Sequence, residues 1–114
     1  MNYLQKVKVP DVEAIFVFNF TKSRTVRSGY RPAHMIDDNC LTSGEHHYYE
    51  VESVAPGETA KGTITFVSPE LHPRCLWIGK KISIQEGARI VGYAIITNIY
   101  NTVLATDDHP MIYL

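Results

Sequence analysis

The sequence predicts an all-β fold, a single domain built as one six-stranded antiparallel barrel. Strand-like segments rich in β-branched and aromatic residues recur along the 114 residues, and glycine and proline separate them. No long segment places apolar residues at helical spacing behind an N-cap. Six short strands with short connections suit a closed barrel, because closure removes exposed strand edges. We expect the barrel to span residues 9–100, followed by a tail over residues 101–114.

Each predicted strand is bounded by residues typical of turns. The strands are expected at Glu13–Phe20, Ala33–Ile36, His46–Val51, Lys61–Val67, Leu76–Gln85 and Arg89–Tyr100. Ala55–Glu58 is a turn by its chemistry, since Pro56 fixes φ and Gly57 accepts a positive φ. Glu86–Ala88 reads as a hairpin turn. Gly92, inside the last strand, indicates a close approach of two backbones.

Composition favours a globular protein without general affinity for polyanions. Apolar residues make up 45% and charged residues 20%, and the net charge is −1. The first residues contain no apolar core of a signal peptide, and no run approaches the ~18 residues of a membrane span. Two cysteines, Cys40 and Cys75, are fewer than a small secreted scaffold usually carries. We therefore expect a cytoplasmic protein that does not bind membranes.

The sequence offers no convincing catalytic or metal site. His72 and Cys75 share one loop and His46-His47 lie in a predicted strand, but zinc requires four converging ligands. We expect solvated histidines and a small buried cysteine instead. Ser28-Gly29 and Ser43-Gly44 lack the preceding glycine of a nucleophile elbow. The sequence thus predicts no enzyme activity, no metal and no cofactor.

Two strands are apolar on both faces, which is unusual for a solvated barrel wall. Apolar residues occupy both parities in the first and the last predicted strands. One interpretation is a protein interface on the outer wall, formed by Ile15, Val17, Ile90, Ala94 and Ile96. The alternative is that local loops or the tail cover this wall. Met111–Leu114 is apolar, and we hypothesise that the tail folds back over these strands.

Four strings occur in an order that resembles the third, C-terminal domain of elongation factor Tu. They are Gly29-Tyr30-Arg31-Pro32, Pro56-Gly57-Glu58-Thr59, Ser68-Pro69 and Ile84–Tyr93. In that family the strings run close to G-Y-R-P-Q-F, P-G-D, H-P and I-R-E-G-G-R-T-V-G-x-G. The resemblance covers roughly Val9 to Tyr100, and the family fold is a six-stranded antiparallel barrel.

The resemblance implies the third domain standing without the GTPase domain. A P-loop needs G-x-x-x-x-G-K-[ST] to hold phosphates. Gly79-Lys80 lacks the upstream glycine and is followed by Lys81, and Gly57–Thr63 places its lysine before the second glycine. We therefore expect no GTP binding.

The family's third domain contacts the T-stem backbone of tRNA, which implies candidate RNA-binding residues. The candidate residues are Arg31, Thr42, Glu86, Gly87 and Arg89. Ala33 stands where the family has a glutamine and has lost that amide. Arg31 and Arg89 have an alternative role in bracing the barrel through ion pairs or carbonyl contacts.

Three functions follow from these observations. The first is a protein-binding module that presents a surface like that of the elongation factor, linked to translation or its regulation. Its partner would be a ligand of the factor, such as its exchange factor, a toxin or an inhibitor. The second is an accessory protein that binds tRNA or rRNA through basic residues 24–31 and the turn at 86–89. The third is a self-assembling subunit whose exposed strand faces pair across a two-fold axis.

Overall fold

A computed structural model describes residues 9–106 and shows one closed, antiparallel, six-stranded barrel. The strands are β1 (Val12–Phe18), β2 (Ala33–Asp37), β3 (Cys40–Tyr48), β4 (Thr59–Phe66), β5 (Lys81–Glu86) and β6 (Arg89–Ile99). Around the barrel they follow the order β1-β4-β3-β2-β5-β6, with β6 closing on β1. One 3-10 turn, Pro69–Leu71, lies between β4 and β5, and a second, Thr102–Leu104, follows β6. The predicted fold class is confirmed.

The strand boundaries depart from the prediction at β3 and β5. β3 begins at Cys40 rather than His46, because Asp38 and Asn39 form a two-residue hairpin in which Asn39 takes a left-handed φ of 57°. Asparagine tolerates that region, so this turn needs no glycine. β5 begins only at Lys81, since Leu76 leaves the barrel wall and pairs with Ala105 in an isolated parallel bridge.

The core forms because alternate residues of each strand point inward. On β1, Val12, Ala14, Phe16 and Phe18 are buried, whereas the residues between them are half-buried on the outer wall. Phe16 is fully buried and its ring meets those of β3. Burial of such side chains contributes roughly 1.5–3 kcal/mol each relative to exposure. This alternation fixes the register of the barrel.

A bulge in β6 overturns the predicted facing of Ala94 and Ile96. Ile90 pairs with Gln85 and Gly92 pairs with Ile84, which leaves Val91 as an extra residue without a partner on β5. The bulge shifts the alternation by one residue, so Ala94 and Ile96 point into the core and have no exposed surface. Neither residue belongs to an outer interface. The outer face of β6 is formed by its half-buried alternate residues instead.

The chain after β6 covers the lower end of the barrel, defined here as the end that carries the β2–β3 hairpin and residues 67–80. Leu104 is fully buried, and its carbonyl accepts a hydrogen bond from Leu76 N at 2.8 Å. Thr106 N donates back to Leu76 O at 2.9 Å. Residues 101–106 therefore bind Asp11 and residues 74–76 at the lower end, and the hypothesis that the tail covers the outer wall of β1 and β6 stays a prediction. The predicted docking segment Met111–Leu114 lies outside the described residues.

At this lower end, Asp11 connects the start of β1 to the chain that follows β6. Its backbone carbonyl accepts hydrogen bonds from Tyr100 N and Asn101 N at 2.9 and 3.0 Å. Its carboxylate accepts from Phe66 N at 2.7 Å and from the Asn101 side-chain amide at 2.9 Å. Asp11 is buried, so these bonds replace the hydration that its carboxylate loses.

Gly92 and Gly62 allow neighbouring strands to approach each other closely. A Cβ atom at Gly92 would lie 2.2 Å from Val17 O, and one at Gly62 would lie 1.9 Å from His47 O. Both obstacles are backbone atoms of the barrel wall, which cannot rotate away. The predicted close approach at Gly92 is confirmed, and it explains why these two positions hold glycine.

We predict that Gly92→Ala lowers the free energy of unfolding by more than about 2 kcal/mol, because β6 must separate from β1 to admit the methyl group. Urea denaturation followed by tryptophan fluorescence measures the change. Ala88→Ser, at the exposed hairpin, is the matched control and should change stability by less than about 0.5 kcal/mol. Equal midpoints for Gly92→Ala and the wild type would contradict this explanation.

Candidate binding surface at the upper rim

Asn19 fixes the backbone at the end of β1. Asn19 N donates to Val91 O at 2.9 Å, and its carbonyl accepts from Lys22 N and Gly57 N, both at 3.2 Å. Its side-chain amide lies 3.4 Å from Ile90 O. The connection after β1 is therefore bonded to β6 and to the turn that contains Gly57. These contacts lie at the upper rim, the barrel end opposite the lower end, formed by residues 19–32 and 49–58 and the β5–β6 hairpin.

Phe20 projects from this fixed backbone into solvent. Its side chain is 87% exposed. A Cβ atom at Gly57 would lie 2.5 Å from two of its ring carbons, so the ring lies against the Gly57 turn. Ile90, on the adjacent strand, is 57% exposed. An exposed aromatic ring on a fixed backbone, at the same rim as an exposed isoleucine, is typical of a binding anchor, since an aromatic side chain offers a large contact area with only two rotatable bonds.

Two exposed basic side chains lie at the same rim as Phe20 and Ile90. Arg24 and Arg27 are exposed, and they line a groove of about 450 Å³ together with Lys22, Tyr30 and several smaller residues. No ion pair within residues 9–106 involves either arginine. The upper rim therefore combines apolar anchors with positive charge that the described part of the chain does not neutralise.

A buried lysine braces the floor of the groove. The Lys22 side chain is 1% exposed, and its ammonium lies 3.0 Å from one carboxylate oxygen of Glu86. Tyr30 donates its hydroxyl to the same oxygen. These hydrogen bonds, from Tyr30 first and Lys22 second, lower the pKa of Glu86, whereas burial and the Glu86 contact raise the pKa of Tyr30. Glu86 is thus a carboxylate that holds residues 22–30 against the β5–β6 hairpin.

The predicted RNA-binding residues are distributed along neighbouring parts of the barrel, and several are engaged within it. Arg31 forms an exposed ion pair with Glu45 at 3.3 Å, and Arg89 donates to Thr21 O at 2.7 Å. Glu86 holds Lys22 and Tyr30, as described above. Gly87 forms the tip of the β5–β6 hairpin, with a left-handed φ of 63°.

Thr42 is the least accessible of the RNA candidates. It pairs directly with His34, whose ring is fully buried. Residues directly opposite each other in an antiparallel pair share one face, so the Thr42 side chain lies on the inward face of β3. It is half-buried there. This geometry favours packing over contact with a phosphate backbone.

The predicted interface residues separate into three environments. Ile15 and Val17 lie on the outer wall but are half-buried among neighbouring strands, with Ile15 lining a small depression of about 210 Å³. Ile90 is exposed at the upper rim, while Ala94 and Ile96 are in the core. Only Ile90 therefore offers a broad contact area. Phe20, which the sequence had placed within the first strand, provides the larger exposed apolar surface.

A chain of three hydrogen-bonded rings crosses the core beneath the rim. His34 Nδ1 lies 2.8 Å from Ser83 O, His46 Nε2 lies 3.0 Å from His34 Nε2, and Tyr48 Oη lies 2.8 Å from His46 Nδ1. Because a carbonyl only accepts, His34 Nδ1 carries a hydrogen and its Nε2 accepts from His46. His46 Nδ1 then accepts from the Tyr48 hydroxyl. Every ring nitrogen of His34 and His46 has a hydrogen-bond partner when both imidazoles are neutral.

Burial keeps both imidazoles neutral. It lowers the pKa of His34 to about 4, and burial together with the neighbouring His34 lowers the pKa of His46 well below its ordinary value. The expectation of solvated histidines is therefore wrong for His46, whereas His47 on the opposite face is exposed. Burial also raises the pKa of Tyr48, which remains a donor.

The described residues contain no metal site and no membrane-spanning helix. Within residues 9–106, no three histidine, cysteine or acidic side chains are placed to hold a metal ion. The same range contains no helix with the length and apolarity that crossing a bilayer requires. His72 is engaged with the two cysteines: its Nδ1 lies 3.3 Å from Cys40 Sγ, and its carbonyl accepts from Cys75 Sγ at 3.0 Å.

No protein-family model matches this chain.

We predict that stability falls as the pH decreases from 6.5 to about 4. The unfolded histidines take up protons below about pH 6.5, whereas the folded ones resist, so each costs at most about 1.4 kcal/mol per pH unit. Urea unfolding at a series of pH values measures this slope. His34→Asn keeps a donor near Ser83 O and should reduce the slope. His47→Gln, on the exposed face, is the control and should retain it. Parallel slopes for wild type and His34→Asn would exclude His34 as a cause.

Proposed function

We propose that this chain is a non-catalytic protein-binding module that presents a surface similar to the third domain of elongation factor Tu. The observation that carries the proposal is Phe20, an almost fully exposed aromatic ring on a backbone fixed by Asn19. A phenylalanine in this position costs solvation and contributes nothing to the core, which is explained if a partner covers it.

The charge of the upper rim defines the partner's chemistry. Arg24 and Arg27 are exposed at the same rim as Phe20, and Glu86 is already held by Lys22 and Tyr30. A complementary surface has an apolar pocket for the ring, surrounded by carboxylates. A second copy of the chain would bring two basic rims together, so charge disfavours self-association through this face.

The resemblance suggests which proteins to test. A chain that carries such a surface of the elongation factor would compete for the factor's own protein ligands. These include its exchange factor and toxins or inhibitors that recognise it. We propose that the module acts as a decoy or a regulator in translation, within the cytoplasm.

Binding of tRNA or rRNA is the weaker candidate because the residues implied by the resemblance are engaged or inward-facing. Arg31 pairs with Glu45, and Thr42 lies on the inner face of β3. The overall charge of −1 supplies little surplus for phosphate contacts. Filter binding with tRNA across a salt series distinguishes the two functions, because phosphate contacts give a steep decrease in affinity with salt.

We predict that Phe20→Ser weakens partner binding by at least about tenfold, since truncation of an anchor residue costs upwards of 1–2 kcal/mol. Candidate partners are the purified exchange factor and proteins retained on the immobilised chain, each then reconstituted in pure form and titrated by calorimetry. Val103→Ser, at the lower end and 46% exposed, is the matched control and should leave the affinity unchanged.

A second variant tests how much the positive charge of Arg24 and Arg27 contributes to partner binding. Arg24→Glu with Arg27→Glu should also weaken binding, and raising the salt concentration should reduce the difference from wild type. Equal affinity of the wild type and Phe20→Ser for every reconstituted partner would overturn the proposed surface. A steep salt dependence for tRNA would favour the RNA function in its place.

A further inference from the structure

Two cysteines from distant parts of the chain meet one histidine at the lower end of the barrel. Cys40 opens β3, whereas Cys75 lies in the connection before β5. Cys40 Sγ lies 3.3 Å from His72 Nδ1, and Cys75 Sγ donates to His72 O at 3.0 Å. Both thiols are free. The two sulfur atoms therefore contact the same residue, although 34 residues separate them in the sequence.

Lys80 holds the two cysteine-bearing segments together. Its ammonium donates to Cys75 O at 2.7 Å and to Ile36 O at 2.8 Å. Ile36 immediately precedes Asp37, which pairs with Cys40 across the β2–β3 hairpin. One ammonium group thus bridges the connection that carries Cys75 and the hairpin that carries Cys40.

The two thiols differ in accessibility. Cys40 is half-buried and contacts an imidazole nitrogen, which can accept its proton. Cys75 is 6% exposed, and its S–H is directed at a carbonyl. Burial raises the pKa of Cys75, Lys80 opposes that change, and Asp37 and Cys40 add to it. An external reagent should therefore reach Cys40 first.

We propose that Cys40 and Cys75 form a redox-responsive thiol pair that glutathione-type disulfides oxidise, with His72 as the base. The Cys40 thiol transfers its proton to His72 Nδ1, and the thiolate attacks one sulfur of the external disulfide. A mixed disulfide forms on Cys40, and the leaving thiolate takes the proton from His72.

Cys75 completes the reaction. Its sulfur attacks Cys40 Sγ, a bond forms between the two protein sulfurs, and the second external thiol leaves with the Cys75 proton. The protein loses two electrons and two protons, and the external disulfide is reduced to two thiols. The product fastens the connection before β5 to the β2–β3 hairpin. The pair thus senses the thiol–disulfide balance of its surroundings, independently of the partner bound at the upper rim.

The test exposes the full chain to excess oxidised glutathione at about pH 8, near the pKa of a free thiol. Acid quenching and intact-mass measurement follow the products, and peptide mapping locates them. The wild type should lose the mass of two hydrogen atoms and all reactivity toward a thiol reagent.

The single-cysteine variants separate the two steps. Cys75→Ser should stop at one glutathionyl group on Cys40, and Cys40→Ser should remain unmodified while folded. Near-UV circular dichroism verifies that each variant is folded, and Cys75→Ala replaces Cys75→Ser if the hydroxyl disturbs the core.

The role of His72 has a separate measurement. His72→Gln should slow the first step about three- to tenfold near neutral pH, with the rates converging at high pH where the thiol ionises without a base. His47→Gln removes an exposed histidine that contacts neither cysteine and should leave the rate unchanged. The proposal is overturned if the wild type retains a stable mixed disulfide, if Cys40→Ser reacts as fast as the wild type, or if the folded wild type does not react.

Discussion

Closure of the sheet is the constraint on which the rest of the structure depends. Within residues 9–106 each strand has a neighbour on both sides: β1 pairs with β4 and with β6, and β2 meets β5 at the pair Ala33 and Gln85. Two of these strands carry a glycine whose Cβ would strike the neighbouring backbone. Closure places the six strands at fixed positions, and the loops at each end inherit those positions. The exposed ring at one end and the thiols at the other are held by the same wall.

Aromatic rings fill the interior of the closed barrel beside β2 and β3. His34 and His46 stack on each other, and the rings of His34, His46 and Tyr48 pack at tilted or edge-to-face angles against Phe16 and Phe66. A buried polar chain is costly unless each donor meets an acceptor. Only one assignment of hydrogens on the two imidazoles gives every donor an acceptor. The hydrogen-bonded side chains therefore specify one arrangement of β2, β3 and β5.

The sequence predicted the fold class because alternation and turn chemistry are local signals. It predicted Gly92 for the same reason. It failed at Ala94 and Ile96, since a bulge shifts the facing of a strand by one residue and leaves no mark in composition. Four of the six strands were located closely, whereas β3 began earlier because Asn39 makes a turn that usually contains glycine.

The candidate sites were harder to predict than the fold because they combine residues from distant segments. Phe20 reads as the last residue of an apolar strand, and only the Asn19 hydrogen bonds show that the strand has ended. His34 shares its parity with Ile36, a signal of burial that could have been used. The contact of Cys40 with His72 depends on the path of residues 67–80, which no local pattern describes.

The hydrogen bonds of Asp11 determine where the two ends of the barrel-forming chain lie. Its carbonyl binds the backbone just beyond β6, so the first and last strands of the barrel enter and leave at one point. Such a unit allows its termini to be rearranged, since a linker from residue 106 back to residue 11 would keep Leu104 in the core and new termini could open at a hairpin. The same adjacency would let the barrel be spliced into a surface loop of a host protein without stretching either connection.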